Sequence, residues 1–481
     1  MTVSDLSTPD VFAPIGGDDP ATFNWREAWY PVFYLDDLDR TKPQRFTLLD
    51  QDLVIWWDGG QWRAFADRCP HRLAPLSEGR IAEDGLLECP YHGWAFNGDG
   101  HCDRLPQMPP DSNALASSRA CTTTFATTVR QGLLFVYAGS VDKAEQVAVP
   151  IVPGIEEDPD DWVCLNTFRD LPYDATTLLE NVLDASHIPY THHKTVGNRK
   201  NASTVDLELT TFDRQGFTGT WAEGPRRGTL GRQDTTFIAP GLMWHDLTSK
   251  QFGRTLTVVY ATPIRKGACR LFARFPFKFA SKFPRLAISL TPRWYSHVGQ
   301  NGVLEDDQIF LHWQERYLDT LSQQLAPNRA TDLVTDQATD RTTGLAYAQV
   351  CYLPTSADRF VLTYQKWLAE FGDLFPGQPL PPAQARDQLL DRYHSHTQHC
   401  ASCRMALMRF QVARRVLGAI GLVLLAGLPV ISALDCSLGV AIGYAIVTLI
   451  IGSVFWAIGR FERRFYQGIY PPPRNVPEKK A

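Results

Sequence analysis

The sequence predicts an α+β protein: a small all-β domain, a larger mixed domain, and a C-terminal pair of membrane-type helices. Three observations carry that prediction. Runs such as "QDLVIWWDGGQWRAFADRC" (51–69) alternate apolar and polar residues around an Asp-Gly-Gly turn, as short paired strands do. One helix-period stretch (174–195) is followed by strand-like runs, "QGFTGTWAEG" and "RTLTVVYATPI", and then by helical segments. Near the end, residues 416–434 and 438–459 are uncharged, each close to the ~20 residues that span a bilayer.

At 481 residues the chain has room for about three domains. Residues 1–25 read as a polar arm, whose acidic opening has neither the apolar core of a signal peptide nor the Arg-rich run of a transit peptide. Residues 26–139 form the all-β domain, and 140–161, rich in Pro and acid, a linker. The mixed domain covers 162–395, a juxtamembrane segment 396–415, a transmembrane hairpin 416–459, and an extended tail 460–481. Arg409, Arg414 and Arg415 precede the hairpin and Arg460, Arg463 and Arg464 follow it, so the positive-inside rule puts both flanks and the body in the cytoplasm. A formal net charge of −5 offers no basic field for nucleic acid. Ten cysteines are too few for a disulfide scaffold at this length, and the clustered ones sit beside histidines, which favours metal binding in a reducing compartment.

Two short loops share one composition. "RCPHRLAP" supplies Cys69 and His71; "ECPYHGWAFNGDG" supplies Cys89 and His92. Two thiols and two imidazoles in this interleaved order match a Rieske [2Fe–2S] centre, whose thiolates hold one iron and whose imidazoles hold the other. A zinc site would show Cys-x-x-Cys with His-x-x-x-His instead. Pro70, Pro90 and Gly93 shape the loops so that backbone N–H groups reach the sulfurs. The Rieske proteins of respiratory and photosynthetic complexes resemble one another in carrying an extra cysteine per loop; Ala74 and Tyr91 stand there in this chain. Trp94 stands where those proteins often carry a serine hydroxyl. Fewer hydrogen bonds to the cluster imply a lower potential, as an oxygenase needs.

A second metal is predicted downstream. In "DATTLLENVLDASHIPYTHHKT", Asp174 caps a helix with Leu178, Val182 and Leu183 on its apolar face; Asp184 and His187 share a face of that helix, and Pro189 ends it. His192 then folds back towards His187, leaving His193 pointing elsewhere. Two histidines and a carboxylate suit mononuclear non-haem Fe(II) with open positions for dioxygen and substrate. The carboxylate is expected from "NGVLEDDQIFLHWQERYL", where Glu305, Asp306 and Asp307 begin a helical run; Asp307 is favoured and Asp306 is the alternative.

These two ligand sets together resemble the Rieske non-haem iron oxygenases. "RYHSHTQHCASCR" (392–404) ahead of two spans, and "LEDDQIFLHWQER", resemble more narrowly the pheophorbide a oxygenase family of chloroplasts and cyanobacteria. The resemblance implies a β-sandwich Rieske domain on a helix-grip catalytic domain, in a head-to-tail homotrimer. It implies that Asp184 bridges His187 to His92 of the partner subunit, and that a ferredoxin-type donor supplies electrons for dioxygen chemistry. It also implies a hydrophobic, chlorophyll-type substrate, either opened at a macrocycle methine or hydroxylated at a ring methyl. The absence of a transit peptide points to a cyanobacterial thylakoid or plasma membrane.

Cys400 and Cys403 form a Cys-x-x-Cys read as a redox dithiol, similar to the thioredoxin-sensitive switch suspected in the family. The alternatives are a zinc site with His394, His396 and His399, or two plain thiols. Cys102, Cys121, Cys164, Cys269, Cys351 and Cys436 read as small hydrophobes, and His101, His245, His297 and His312 as packing or pocket residues. The rival classes are a membrane redox carrier or sensor, and a structural translocon component. A carrier does not need His187, His192 and a carboxylate, and a translocon component predicts no substrate-triggered oxygen uptake.

Overall fold

A computed structural model describes residues 22–225, 230–249, 253–279, 282–329, 347–372, 374–434 and 437–477. Cys436 and most of the N-terminal arm lie outside the described residues. The first domain holds three small antiparallel sheets. One pairs Trp29–Tyr34 with Leu133–Tyr137 and Thr127–Arg130; another runs Gln44–Leu48, Gln51–Trp57, Trp62–Ala66, Thr124–Phe125. The Asp-Gly-Gly turn closes the latter, with Asp58 Oδ1 accepting from the N–H groups of Gly60 and Gln61, each at 2.8 Å. The third, Arg80–Ile81, Leu87–Glu88, Ala95–Phe96, Cys102–Arg104, carries the second of the two Cys/His loops on a hairpin.

The second domain is built on a seven-stranded antiparallel sheet. Its order is Val163–Leu171, Ala268–Lys278, Gly253–Arg265, Leu242–Ser249, Gln233–Ile238, Gly216–Trp221, Leu207–Asp213. The last six strands are a meander, and the first crosses to the far edge beside Ala268–Lys278 in the register Phe168 to Phe272. The two domains share a core: the backbone of Pro31 accepts from Thr262 Oγ1 at 2.7 Å, and Ala273 O accepts from Tyr34 Oη at 3.1 Å. Residues 140–161 pack onto that body, with Val152 and Ile155 buried.

The helix Arg293–Arg329 lies along the first strand. It was expected to begin near Glu305, yet it begins twelve residues earlier. The reason is its buried face. His297, Asn301, Glu305, Gln308, His312 and Glu315 recur at helical spacing and are all buried. An apolar-periodicity reading passes over such a polar stripe. Each member has a partner on the strand side or beyond: Asn166 O for His297, Arg169 for Asn301 and Glu305, Leu389 O for Gln308, Pro172 O for His312, and the Asp174 N–H for Glu315. Buried polar groups persist only when paired in this way. The acidic cluster thus sits mid-helix, away from any helix dipole.

Helix Ala175–Leu183 buries Leu178 and Leu183 as expected. Asp174 occupies its N-cap position, but its carboxylate binds Lys266 Nζ at 2.7 Å and the Gly267 N–H at 2.5 Å. The helix stops at Leu183, with Asp184 as C-cap; Pro189 starts a new short helix, Ile188–Thr191, rather than ending the old one. Asp184 and His187 therefore flank a break.

At the C-terminus, Ala401–Ala433 and Leu438–Phe465 are long and apolar enough to cross a membrane, with mean hydropathy 2.4 and 2.3 over their apolar stretches, in which no residue is buried. They pack on each other, Tyr444 Oη donating to Leu424 O at 2.6 Å. Their roots hold the catalytic body through rings: Trp294, at the start of the long helix, contacts Phe410, Phe461 and Phe465. Asp37 of the first domain caps the first apolar helix, accepting from the Ala401 N–H at 2.9 Å.

Candidate metal centres

The two Cys/His loops have one backbone plan. Cys69 N–H donates to Ala74 O (2.8 Å) and Leu73 N–H back to Cys69 O (2.8 Å); Cys89 N–H donates to Trp94 O (2.7 Å) and Gly93 N–H back to Cys89 O (3.2 Å). Both closing residues take positive φ, +59° at Leu73 and +73° at Gly93. For glycine that is free, whereas Leu73 carries a cost of roughly 1–3 kcal/mol, of the kind kept at functional sites. The loops bury Cys69 and Cys89 and leave His71 exposed and His92 half-exposed. The imidazoles lie 4.6 Å apart between centroids, and Trp94 stacks on His71 at 4.9 Å. The His71 N–H faces the Cys69 sulfur. Burial, with the neighbouring Cys89, pushes the Cys69 thiol up to about 12.

Among the described residues, these four do not form a group converging on one point, whereas two other groups do. That suits a two-iron cluster, in which sulfurs and nitrogens bind different metals.

One converging group is His187, His192 and Asp307. His192 Nε2 faces Asp307 Oδ2 at 3.3 Å, and the two imidazoles are 5.3 Å apart. His187 is fixed by its own turn, Nδ1 against Asp184 O at 2.5 Å, leaving Nε2 for the metal. Asp307 is buried and its Oδ1 has no hydrogen-bond partner among the described residues. Burial raises its pKa, while His192 and His187 oppose the rise. An orphaned carboxylate oxygen beside two imidazoles is what a missing divalent cation leaves.

Asp306 has a different task. Its Oδ2 lies 3.3 Å from His192 Nδ1 and accepts from Thr195 Oγ1 at 2.7 Å, and Arg474 Nη1 donates to its backbone O at 2.6 Å. Thr195 and Arg474 escaped the sequence reading because hydroxyls and guanidiniums carry no ligand signal. Asp184 points its Oδ1 at the Ser186 N–H (2.7 Å) and Oγ (2.6 Å), with Oδ2 3.9 Å from His187 Nδ1. Nearby, burial lowers His245 to about 4; its Nε2 meets Val182 O at 3.0 Å.

The chain matches two family models, the Rieske [2Fe-2S] domain over residues 28–126 and pheophorbide a oxygenase over 237–324. It is 37% identical over 462 residues to the chloroplastic pheophorbide a oxygenase of Oryza sativa subsp. japonica, covering 89% of this chain and 83% of that protein. The chain belongs to the pheophorbide a oxygenase family of Rieske non-haem iron oxygenases. A chloroplastic flavonoid 8-hydroxylase 2 of Ocimum basilicum is also similar, 31% identical over 449 residues, covering 85% of this chain and 79% of that protein. Among solved structures, Pseudomonas putida CBB5 NdmB shares the fold with a TM-score of 0.53 at 22% identity, over 74% of this chain and 93% of that one. As a Rieske oxygenase, the protein takes a [2Fe–2S] cluster and mononuclear iron. Cys69, Cys89, His71 and His92 fit the first; His187, His192 and Asp307 fit the second.

Proposed function

We propose that the protein is a membrane-anchored oxygenase that uses dioxygen and ferredoxin-derived electrons on a hydrophobic, chlorophyll-type tetrapyrrole. The observation that carries this reading is the 37% identity to the pheophorbide a oxygenase of Oryza sativa subsp. japonica over 89% of this chain. The exposed apolar helices support capture of an amphiphilic substrate at a bilayer surface, with the arginine-flanked roots on the cytoplasmic side. Leu73 and Tyr91, both exposed beside the histidine edge of the cluster loops, suit docking of an electron donor or a second subunit.

When bound, the cluster supplies single electrons and the iron supplies dioxygen activation. The chain's own residues prepare that chemistry. The Asp184 carbonyl and Asp306 carboxylate aim the two imidazoles, and Asp307 contributes the one anion. His245, kept neutral by burial, holds the end of the helix that precedes His187. The Asp184 carboxylate, partly exposed, couples His187 to His92 of the partner subunit in a homotrimer.

The test is dioxygen uptake by the reduced full-length protein with pheophorbide a, chlorophyllide a, protochlorophyllide and a flavone. Uptake with a tetrapyrrole, giving an oxygenated product, is expected. Uptake with the flavone alone would move the protein to the hydroxylase branch, and no uptake with any would return it to the redox-carrier class.

A further inference from the structure

The second converging group lies outside the oxygenase chemistry. It joins His297 of the long helix, His396 of the π-helical turn Tyr393–Thr397, Cys400, and Cys403 in the first turn of the first apolar helix. All four are at most 1% exposed. Of the three histidines that the sequence offers for a zinc site, His394, His396 and His399, only His396 belongs to the group, and His297, expected to be a packing or pocket residue, joins it. The other two lie outside it: His394 is exposed and bound to Asp391, and His399 faces Gln398.

Hydrogen bonding sets the tautomers. His297 Nε2 lies 2.7 Å from Asn166 O, and His396 Nδ1 lies 2.6 Å from Phe168 O. Carbonyls only accept, so each imidazole carries its proton on that outer nitrogen. The inner nitrogens, His297 Nδ1 and His396 Nε2, then face each other with bare lone pairs 3.1 Å apart. Two lone pairs at that separation repel unless a proton or a metal ion lies between them, and the sulfurs decide for the metal. The sulfurs close around the same point: Cys403 Sγ is 3.3 Å from His396 Nε2 and 3.5 Å from His297 Nδ1, and Cys400 Sγ is 3.4 Å from His297 Nδ1. Zinc–ligand bonds in a tetrahedron give edges of about 3.3 Å between nitrogens and about 3.6 Å between nitrogen and sulfur. The observed edges match to within a few tenths of an ångström.

We propose that His297, His396, Cys400 and Cys403 bind one structural zinc ion. Two thiolates and Zn²⁺ make a neutral centre, which a dry interior tolerates. A second Rieske-type cluster does not fit, because its sulfurs and nitrogens would sit on separate irons, whereas here they are interleaved around one point. Both sulfurs are shielded from a protein reductant, which disfavours the dithiol reading. The outer carbonyls, on Asn166 and Phe168 of one strand, hold the imidazoles as zinc-ligand histidines are usually held. The site ties the root of the apolar hairpin to the helix that carries Asp307.

The test is metal content of the full-length protein, purified in detergent with a thiol reductant. About one zinc per chain is expected beside the iron. A His187→Ala form should keep its zinc, which separates this site from a mismetallated iron site. Cys403→Ser and His297→Gln should lose at least nine-tenths of it while retaining the cluster's electron paramagnetic resonance signal. Cobalt grown into the wild-type protein should show thiolate-to-cobalt charge transfer in tetrahedral geometry. Wild-type protein containing no zinc, or a Cys400–Cys403 disulfide recovered from the native protein, would overturn the proposal. Should the variants fail to fold, wild-type stoichiometry and the cobalt spectrum decide.

Discussion

His192 meets a carboxylate at each of its ring nitrogens, Asp306 at Nδ1 and Asp307 at Nε2, each at 3.3 Å. Adjacent helix positions thus divide between holding the outer nitrogen of the imidazole and closing the candidate metal group with His187. Asp307→Ala is expected to lose the mononuclear iron and turnover while the cluster signal stays intact. Asp306→Asn should retain iron with affinity or rate reduced about 10–100-fold. Iron analysis with electron paramagnetic resonance checks both, and the reverse pattern would exchange their roles. Glu315, further along the same helix, titrates differently. Burial and then the nearby Asp174 raise its pKa to about 7, above the roughly 4.3 of an unfolded chain. Between those values the folded state keeps a proton that the unfolded state has lost, so this group's contribution to stability falls as pH rises. Glu315→Gln should remove about 1–3 kcal/mol of that loss. The variant's advantage in thermal midpoint should therefore widen from about pH 5 to pH 8; a constant difference would refute the linkage.

The long helix is the element on which the molecule turns. Its mid-point is a buried triad: Glu305 receives Arg169 Nη1 at 2.7 Å and Arg392 Nε and Nη2 at 2.6 and 2.7 Å. The three are at most 6% exposed. Gly468 belongs to this packing, since a Cβ there would come within 2.5 Å of the Glu305 carboxylate. The guanidiniums hold Glu305 below the ordinary carboxylate range against the effect of burial. Removing the anion strands two buried cations, so Glu305→Gln should cost about 3–5 kcal/mol. A denaturation midpoint within error of wild type would show that the triad contributes little. Because the helix also holds His297 and Asp307, loosening its centre should disturb both converging groups together.

For the whole molecule, the decisive question is how electrons reach the iron. If the route crosses between subunits, a His92→Ala chain and a His187→Ala chain, each inactive alone, should recover turnover when co-assembled. Absence of recovery in verified mixed oligomers would place the route within one chain. The sequence already held the two Cys/His loops, the pairing of His187 with His192, the strand-rich first domain and the apolar hairpin. These signals are local: ligands a few residues apart on one loop or helix end, and uninterrupted apolar runs, need no knowledge of distant chain. The rest was decided by packing. His192 and Asp306 are 114 residues apart, and Cys400 and His297 103. Which carboxylate meets Nε2, and which histidine meets the thiols, depends on the rotation of a helix whose buried stripe is polar, so that its phase is invisible to hydrophobic periodicity. Only the folded chain brings such groups together, because their attraction acts over a few ångströms in space rather than a few residues in sequence.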